Sequence, residues 1–256
     1  MPCFSAAVAI NSTTASTAEA TVKAITDASG EAVIHIGSVA DREVAHAIVK
    51  AAIDNFGRID IVINNAGGAD GGDFDQTLDD KLWDMLGIHV QKFGRVIMIA
   101  SPVMFDSAQQ STYGAAKLAL MGLAKTIAIE GKERNILVNT VAPMAYTPGS
   151  AAFVTDDQTK AFLEASMPAR DVAQTVAWLA HESSEVTGET VAAVSRLVTR
   201  IFLAESKGYF GPADQDWTVE SVRNNWDKVM DETEFTIPND MAEFGPKIFQ
   251  RLVTHQ

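Results

Sequence analysis

Three nearly continuous apolar runs constrain this chain more than any other feature: residues 59–67, 94–101 and 136–143, each ending in small or polar residues. A strand with one wet face alternates apolar and polar side chains. These runs do not, so each predicts a strand covered on both faces, as in a parallel sheet. Shorter strands are predicted at 6–11, 32–36 and 190–194. Helical spacing separates them: residues 18–28, stopped by Gly30, and residues 41–56, with Val44, Ile48, Val49, Ala52 and Ile53 on one side and Gly57 at the end. Further helices are predicted at 75–87, 113–132 and 171–181. Strands alternating with helices predict an α/β fold with a mostly parallel sheet.

The strongest helix carries the chemistry. Tyr113 and Lys117 are four residues apart, hence on one helical face, and Ser101 ends the preceding strand. A phenol is a poor acid or base near neutrality, but a neighbouring ammonium favours the phenolate. Lys117 is therefore the expected tuner and Tyr113 the proton carrier, while Ser101 offers a hydroxyl to a carbonyl or alcohol oxygen. Gly114, Ala115 and Ala116 are small enough for a flat ring to lie over them. Alone, a Tyr-x3-Lys spacing is a weak motif. The strand ends around it add the weight.

Asn64-Asn65-Ala66-Gly67, the Ser101…Tyr113-x3-Lys117 set and Asn139-x3-Pro143, in that order, resemble the short-chain dehydrogenase/reductase family over residues 6–205. Within it, residues 54–67 and 113–130 are similar to the hydroxyacyl-CoA dehydrogenase-like branch of peroxisomal multifunctional enzymes. The resemblance implies a Rossmann-like, doubly wound, mostly parallel sheet: one domain over 1–207 and a tail over 208–256 with one amphipathic helix. It implies NAD or NADP as cofactor and a secondary alcohol or ketone as substrate, a 3-hydroxyacyl thioester for this branch. It makes Ser101, Tyr113, Lys117 and His89 catalytic. It sends Asn65, Ala66, Gly67, Tyr113, Lys117, Pro143 and Met144 to the cofactor, with Lys117 on the nicotinamide ribose. His89 falls where this branch seats water for a proton relay; the other reading is a solvated loop histidine. Residues 146–168 correspond to a flap over the substrate, or form an ordinary surface loop.

Two departures stand beside these matches. The family opens with a strand and a glycine-rich turn that lets a pyrophosphate reach a helix N-terminus. Here the first strand runs instead into Asn11-Ser12-Thr13-Thr14-Ala15-Ser16-Thr17 and corresponds to the family's second strand. Closing the gap would pair residues 6–11 directly with 59–65 and bring the hydroxyl-rich loop to the crevice, where it either binds phosphate or caps a helix. The family also has two helices where residues 68–93 have room for one.

Net charge is −13, which argues against a nucleic-acid surface. The single cysteine, Cys3, excludes an intrachain disulfide and a cysteine-rich metal site. No run of about 18 apolar residues and no signal peptide are visible, and Thr254-His255-Gln256 is no peroxisomal address, so a cytoplasmic location is expected. In the tail, Trp217, Val219, Val222, Trp226, Val229 and Met230 mark an amphipathic helix over 218–232. It docks on its own core or on a second subunit of a homo-oligomer. After Pro238 the chain is expected to be irregular, with Phe244 and Phe249 as anchors.

Three functions fit these residues. The first is a nicotinamide-dependent dehydrogenase or reductase acting on a small molecule. The second is a catalytically silent or incomplete relative serving as a packing or interaction module, and the third a cofactor-free lyase on the same scaffold. The missing glycine-rich turn separates the first two.

Overall fold

A computed structural model describes residues 6–66, 93–105, 107–108, 110–151 and 154–254. The expected helix at 75–87, along with Gly67 and His89, lies outside them. The chain divides into two compact units, Met1–Arg200 and Ile201–Gln256.

The first unit opens with β1 (Val8–Ser12), α1 (Ala15–Asp27), β2 (Ala32–Ile36) and α2 (Arg42–Phe56). The Asp41 carboxylate caps α2 by accepting from the Glu43 N–H, and Gly57 ends it at φ 75°, a left-handed conformation that suits glycine. Next come β3 (Ile61–Asn64), β4 (Gly94–Ile99), α3 (Ser111–Gly131) and β5 (Ile136–Met144). They are followed by α4 (Asp157–Ser166), α5 (Ala169–Ala180), β6 (Thr190–Val194) and β7 (Leu197–Ile201).

Strands β3-β4-β5-β6-β7 form one sheet in that order, parallel from β3 through β6. Alternation along the strands sends side chains to two layers. Val96 and Met98 of β4 and Ile136 and Val138 of β5 pack with Ala124, Ile127 and Ala128 of α3. Ile97 and Ile99 of β4 and Val141 of β5 pack with Val172 and Leu179 of α5 on the other face. Gly131 lets α3 turn tightly into β5, because a Cβ there would lie 2.8 Å from the Ile136 carbonyl oxygen. One charge sits in this core: Arg95 of β4, buried, donates to the carbonyls of His181, Glu182 and Ser184 and so ties the end of α5 to the sheet. Burial pulls its guanidinium below the ordinary arginine value.

The expected pairing of residues 6–11 with 59–65 does not form. Instead β1 pairs with β2 alone, in a separate two-stranded parallel sheet, and β3 has a strand only on its β4 side among the described residues. The end of β1 is pinned to its neighbour, since the Asn11 side-chain amide donates to the carbonyls of His35 and Gly37. Strand β1 thus keeps the partner that its own crossover helix delivers, and among the described residues it makes no pairing with β3.

In the second unit, β8 (Glu205–Ser206) pairs antiparallel with β9 (Phe235–Thr236). The amphipathic stretch at 218–232 is not one helix: α6 (Val219–Asn224) and α7 (Trp226–Val229) break at Asn225, whose φ of −117° leaves the helical region. Its Trp217, Trp226 and Met230 stay exposed. The segment after Pro238 is regular, not irregular: Asp240 accepts from the Glu243 N–H and starts α8 (Met241–Thr254). Proline there precedes a helix, and of the two expected anchors Phe244 is half-buried while Phe249 is 70% exposed.

Candidate active site

The carboxyl ends of three neighbouring parallel strands line up. The register pairs Asn64 of β3 with Met98 of β4, and Ile99 of β4 with Val141 of β5. Asn65, Ser101 and the Pro143-Met144 pair therefore end adjacent strands, a spacing of about 4.8 Å per strand in the hydrogen-bonding direction. Asn65 and Ala66 are exposed, and Met144 is 45% exposed beyond a buried Ala142. The carboxyl edge of a parallel sheet is where α/β folds bind ligands.

Ser101 precedes a 3-10 turn, Pro102–Phe105, and accepts through Oγ from the Val103 N–H at 3.3 Å, so its hydroxyl is held at the sheet edge and its proton meets no acceptor among the described residues. This turn leans on α3. A Cβ at Gly114 would lie 3.1 Å from the Val103 carbonyl oxygen. The small residue after Tyr113 thus admits the backbone of the serine's own turn, a different use from the flat ring expected over it. Gly114 and Ala115 also line a cleft of about 230 Å³ with Phe105, Gln110 and Leu118, which neither Tyr113 nor Lys117 borders.

Tyr113 and Lys117 lie half-buried in the first turns of α3. The Lys117 Nζ is 5.6 Å from the centre of the Tyr113 ring and donates to the Ile99 carbonyl oxygen at 2.8 Å. That bond fixes the ammonium at the end of β4, two residues before Ser101, and burial pulls it below the ordinary lysine value. An ammonium has three donors, so two others remain to be matched. This partner escaped the sequence reading because a backbone carbonyl has no residue type to recognise.

Asn139, singled out with Pro143, is wholly buried. Its amide donates to the Val186 carbonyl at 2.7 Å and accepts from the Glu189 N–H at 3.1 Å, holding the loop that leads into β6. The segment at 146–168 is closed at its base, where Tyr146 bridges to Pro168 and its N–H donates to the Met167 carbonyl. Among the described residues, no cluster of His, Cys, Asp or Glu could hold a metal ion, and no helix is long and apolar enough to cross a membrane.

Comparison with known proteins agrees with this architecture. A family pattern described as enoyl-(acyl carrier protein) reductase matches residues 5–194. The chain is similar to peroxisomal multifunctional enzyme type 2 of Mus musculus, 32% identical over 247 residues that make up 89% of this chain and 32% of that protein. It is also similar to the 3-oxoacyl-[acyl-carrier-protein] reductase of Vibrio cholerae, 32% identical over 178 residues, 60% of this chain and 72% of that one. Among solved structures, full-length peroxisomal multifunctional enzyme type 2 from Drosophila melanogaster superposes with a TM-score of 0.72 at 24% identity, covering 98% of this chain and 50% of that one. The chain thus spans about a quarter to a half of the multifunctional relatives it matches.

Proposed function

Because the chain belongs to the short-chain dehydrogenase/reductase family of nicotinamide-dependent oxidoreductases, we propose that it interconverts a secondary alcohol and a ketone on an acyl thioester, with Tyr113 as the proton carrier. One observation carries this reading: the Lys117 ammonium, bonded to Ile99 at the end of β4, stands beside the Tyr113 ring, and Ser101 follows two residues on, just before the turn. In the reducing direction the Tyr113 hydroxyl gives its proton to the substrate oxygen while the Ser101 hydroxyl donates a hydrogen bond to it. Lys117 stabilises the negative charge left on the phenolic oxygen and turns its remaining donors to the nicotinamide ribose. Asn65, Ala66, Pro143 and Met144 line the same edge. The chemistry that a nicotinamide would supply there, when bound, is hydride transfer to the carbonyl carbon or, in the reverse direction, from the alcohol carbon. The thioester rests on the name of the Vibrio cholerae relative.

The second reading, a silent relative that keeps the fold, is favoured by the break between β1 and β3. Turnover separates the two. With a 3-oxoacyl thioester and reduced nucleotide, the Tyr113→Phe protein is expected to lose about 10²–10⁴-fold in rate with unchanged circular dichroism, since only the transferable proton is removed. Undiminished turnover in that variant overturns the assignment of Tyr113. No turnover in the unaltered chain selects the silent relative.

A further inference from the structure

Three contacts from different parts of the chain ring the carboxyl end of β5. The register pairs Met144 with Val194, the last residue of β6. Two residues on, Tyr146 bridges to Pro168, which precedes α5. The third contact closes the ring: Arg196, in the turn after β6, pairs through Nε with the Asp171 carboxylate in the first turn of α5 at 3.4 Å. Arg196 therefore stands on the same sheet edge as Ser101, two strand spacings or about 10 Å along it, with Arg170 beside it.

The two arginines are arranged to receive an anion. Both approach the one carboxylate of Asp171 through Nε, Arg196 at one oxygen and Arg170, at 3.9 Å, at the other. Two guanidiniums on one carboxylate leave a positive charge over, in a chain whose net charge is −13. The terminal nitrogens of both meet no acceptor among the described residues, and the side chains are 81% and 87% exposed for Arg170 and Arg196. A guanidinium tethered at Nε keeps its outer fork of N–H groups for the oxygens of a second anion. Arg196 is also fixed by its backbone. Only Ser195 and Arg196 separate β6 from β7, and Ser195 takes a left-handed φ of 52°, which a non-glycine residue adopts at a cost.

We propose that Arg170 and Arg196 bind the phosphate at the far end of the substrate's thiol arm. The proposal rests on the thioester reading above and names the group that decides which thioesters are taken. A carbonyl held between Ser101 and Tyr113 leaves the thiol arm to run along the sheet edge, over the partly exposed Met144, toward the arginine pair. Coenzyme A and the phosphopantetheine arm of a carrier protein both bear a phosphate at that end. A charge-assisted contact of this kind is expected to favour the phosphorylated thiol about ten- to hundredfold.

The test is a calorimetric titration of the purified full chain with coenzyme A, 4′-phosphopantetheine and pantetheine. It is repeated with Arg170→Gln and with Arg170→Gln/Arg196→Gln, each checked by circular dichroism. Both phosphorylated thiols are expected to bind about tenfold or more tightly than pantetheine, with the advantage reduced in the single variant, abolished in the double one and weakened by salt. Should the double variant fail to fold, the single one decides, since the exposed Arg170 side chain makes only the long contact to Asp171. Phosphorylated thiols that bind no better than pantetheine, an advantage indifferent to the substitutions, or no binding of any probe overturns the proposal. An advantage confined to coenzyme A also overturns it, because it puts the grip on the adenosine end. The dehydrogenase reading is judged separately, by turnover of a 3-oxoacyl pantetheine thioester, which carries no phosphate, with reduced nucleotide and the unaltered chain. Turnover there beside equal binding of the three thiols sinks the phosphate site alone.

Discussion

Strand β4 is buried from end to end and β5 over most of its length, whereas β1 and β3, also largely apolar in sequence, are nowhere fully buried. The contrast lies in neighbours. Strands β4 and β5 each pair on both edges and are covered by α3 on one face and α5 on the other. Among the described residues strand β1 pairs on one edge only, and α1 and α2 both pack on the small β1–β2 layer. The difference teaches that an apolar run shows what a strand tolerates, while burial depends on a partner being there. The residues proposed for the chemistry, Ser101, Tyr113 and Lys117, all stand on the buried half.

Matched truncations would break or sharpen this contrast. In the sheet, Ile97→Ala removes a fully buried side chain from β4 and is expected to cost about 2–5 kcal/mol in denaturant unfolding. On β3, Ile63→Ala acts on a side chain already 49% exposed and is expected to cost under about 1 kcal/mol. Equal costs would mean that something covers the open edge of β3 in solution.

A smaller effect should appear in alkaline solution. Burial lowers the Lys117 ammonium in the folded state, so between that lowered value and about 10.4 the unfolded chain binds the extra proton. Unfolding free energy should therefore rise with pH through that window and level off above it. The penalty is present at lower pH and relieved at higher pH. Replacing Lys117 with methionine should flatten this rise, which thermal unfolding at stepped pH would reveal; an unchanged slope would mean that another group causes it.

Much of the buried half was legible in the sequence because its signals are local and redundant. The strand at 190–194 has the bounds its pattern predicts, as does the one at 32–36 in the other layer. The Tyr113 helix begins two residues earlier than its pattern and ends one residue sooner. The strand-edge argument failed because it weighed the cost of an unpaired edge without the Asn11 amide that binds β1 to β2. In the tail, helical spacing at 218–232 carried no warning of the break at Asn225, and Pro238 was read as a stop when Asp240 was about to start a helix. The partners of Lys117 and Arg95 are backbone carbonyls brought together by topology, so their residue types reveal nothing. A charge inside the run Gly94–Ile99 was nonetheless a signal that carbonyls must converge on it.

The central claim, that the residues proposed for proton transfer stand on a firmly built half and the first two strands on a loosely held one, is tested most directly by amide hydrogen exchange of the full chain under native conditions. Amides of Val96, Ile97, Val138 and Val141 are expected to exchange only through global unfolding, while those of Ile10 and Ile34 exchange through a smaller opening that denaturant scarcely affects. Equal protection of the two sets would contradict the account, since it would make the β1–β2 layer one cooperative unit with the sheet that carries Ser101.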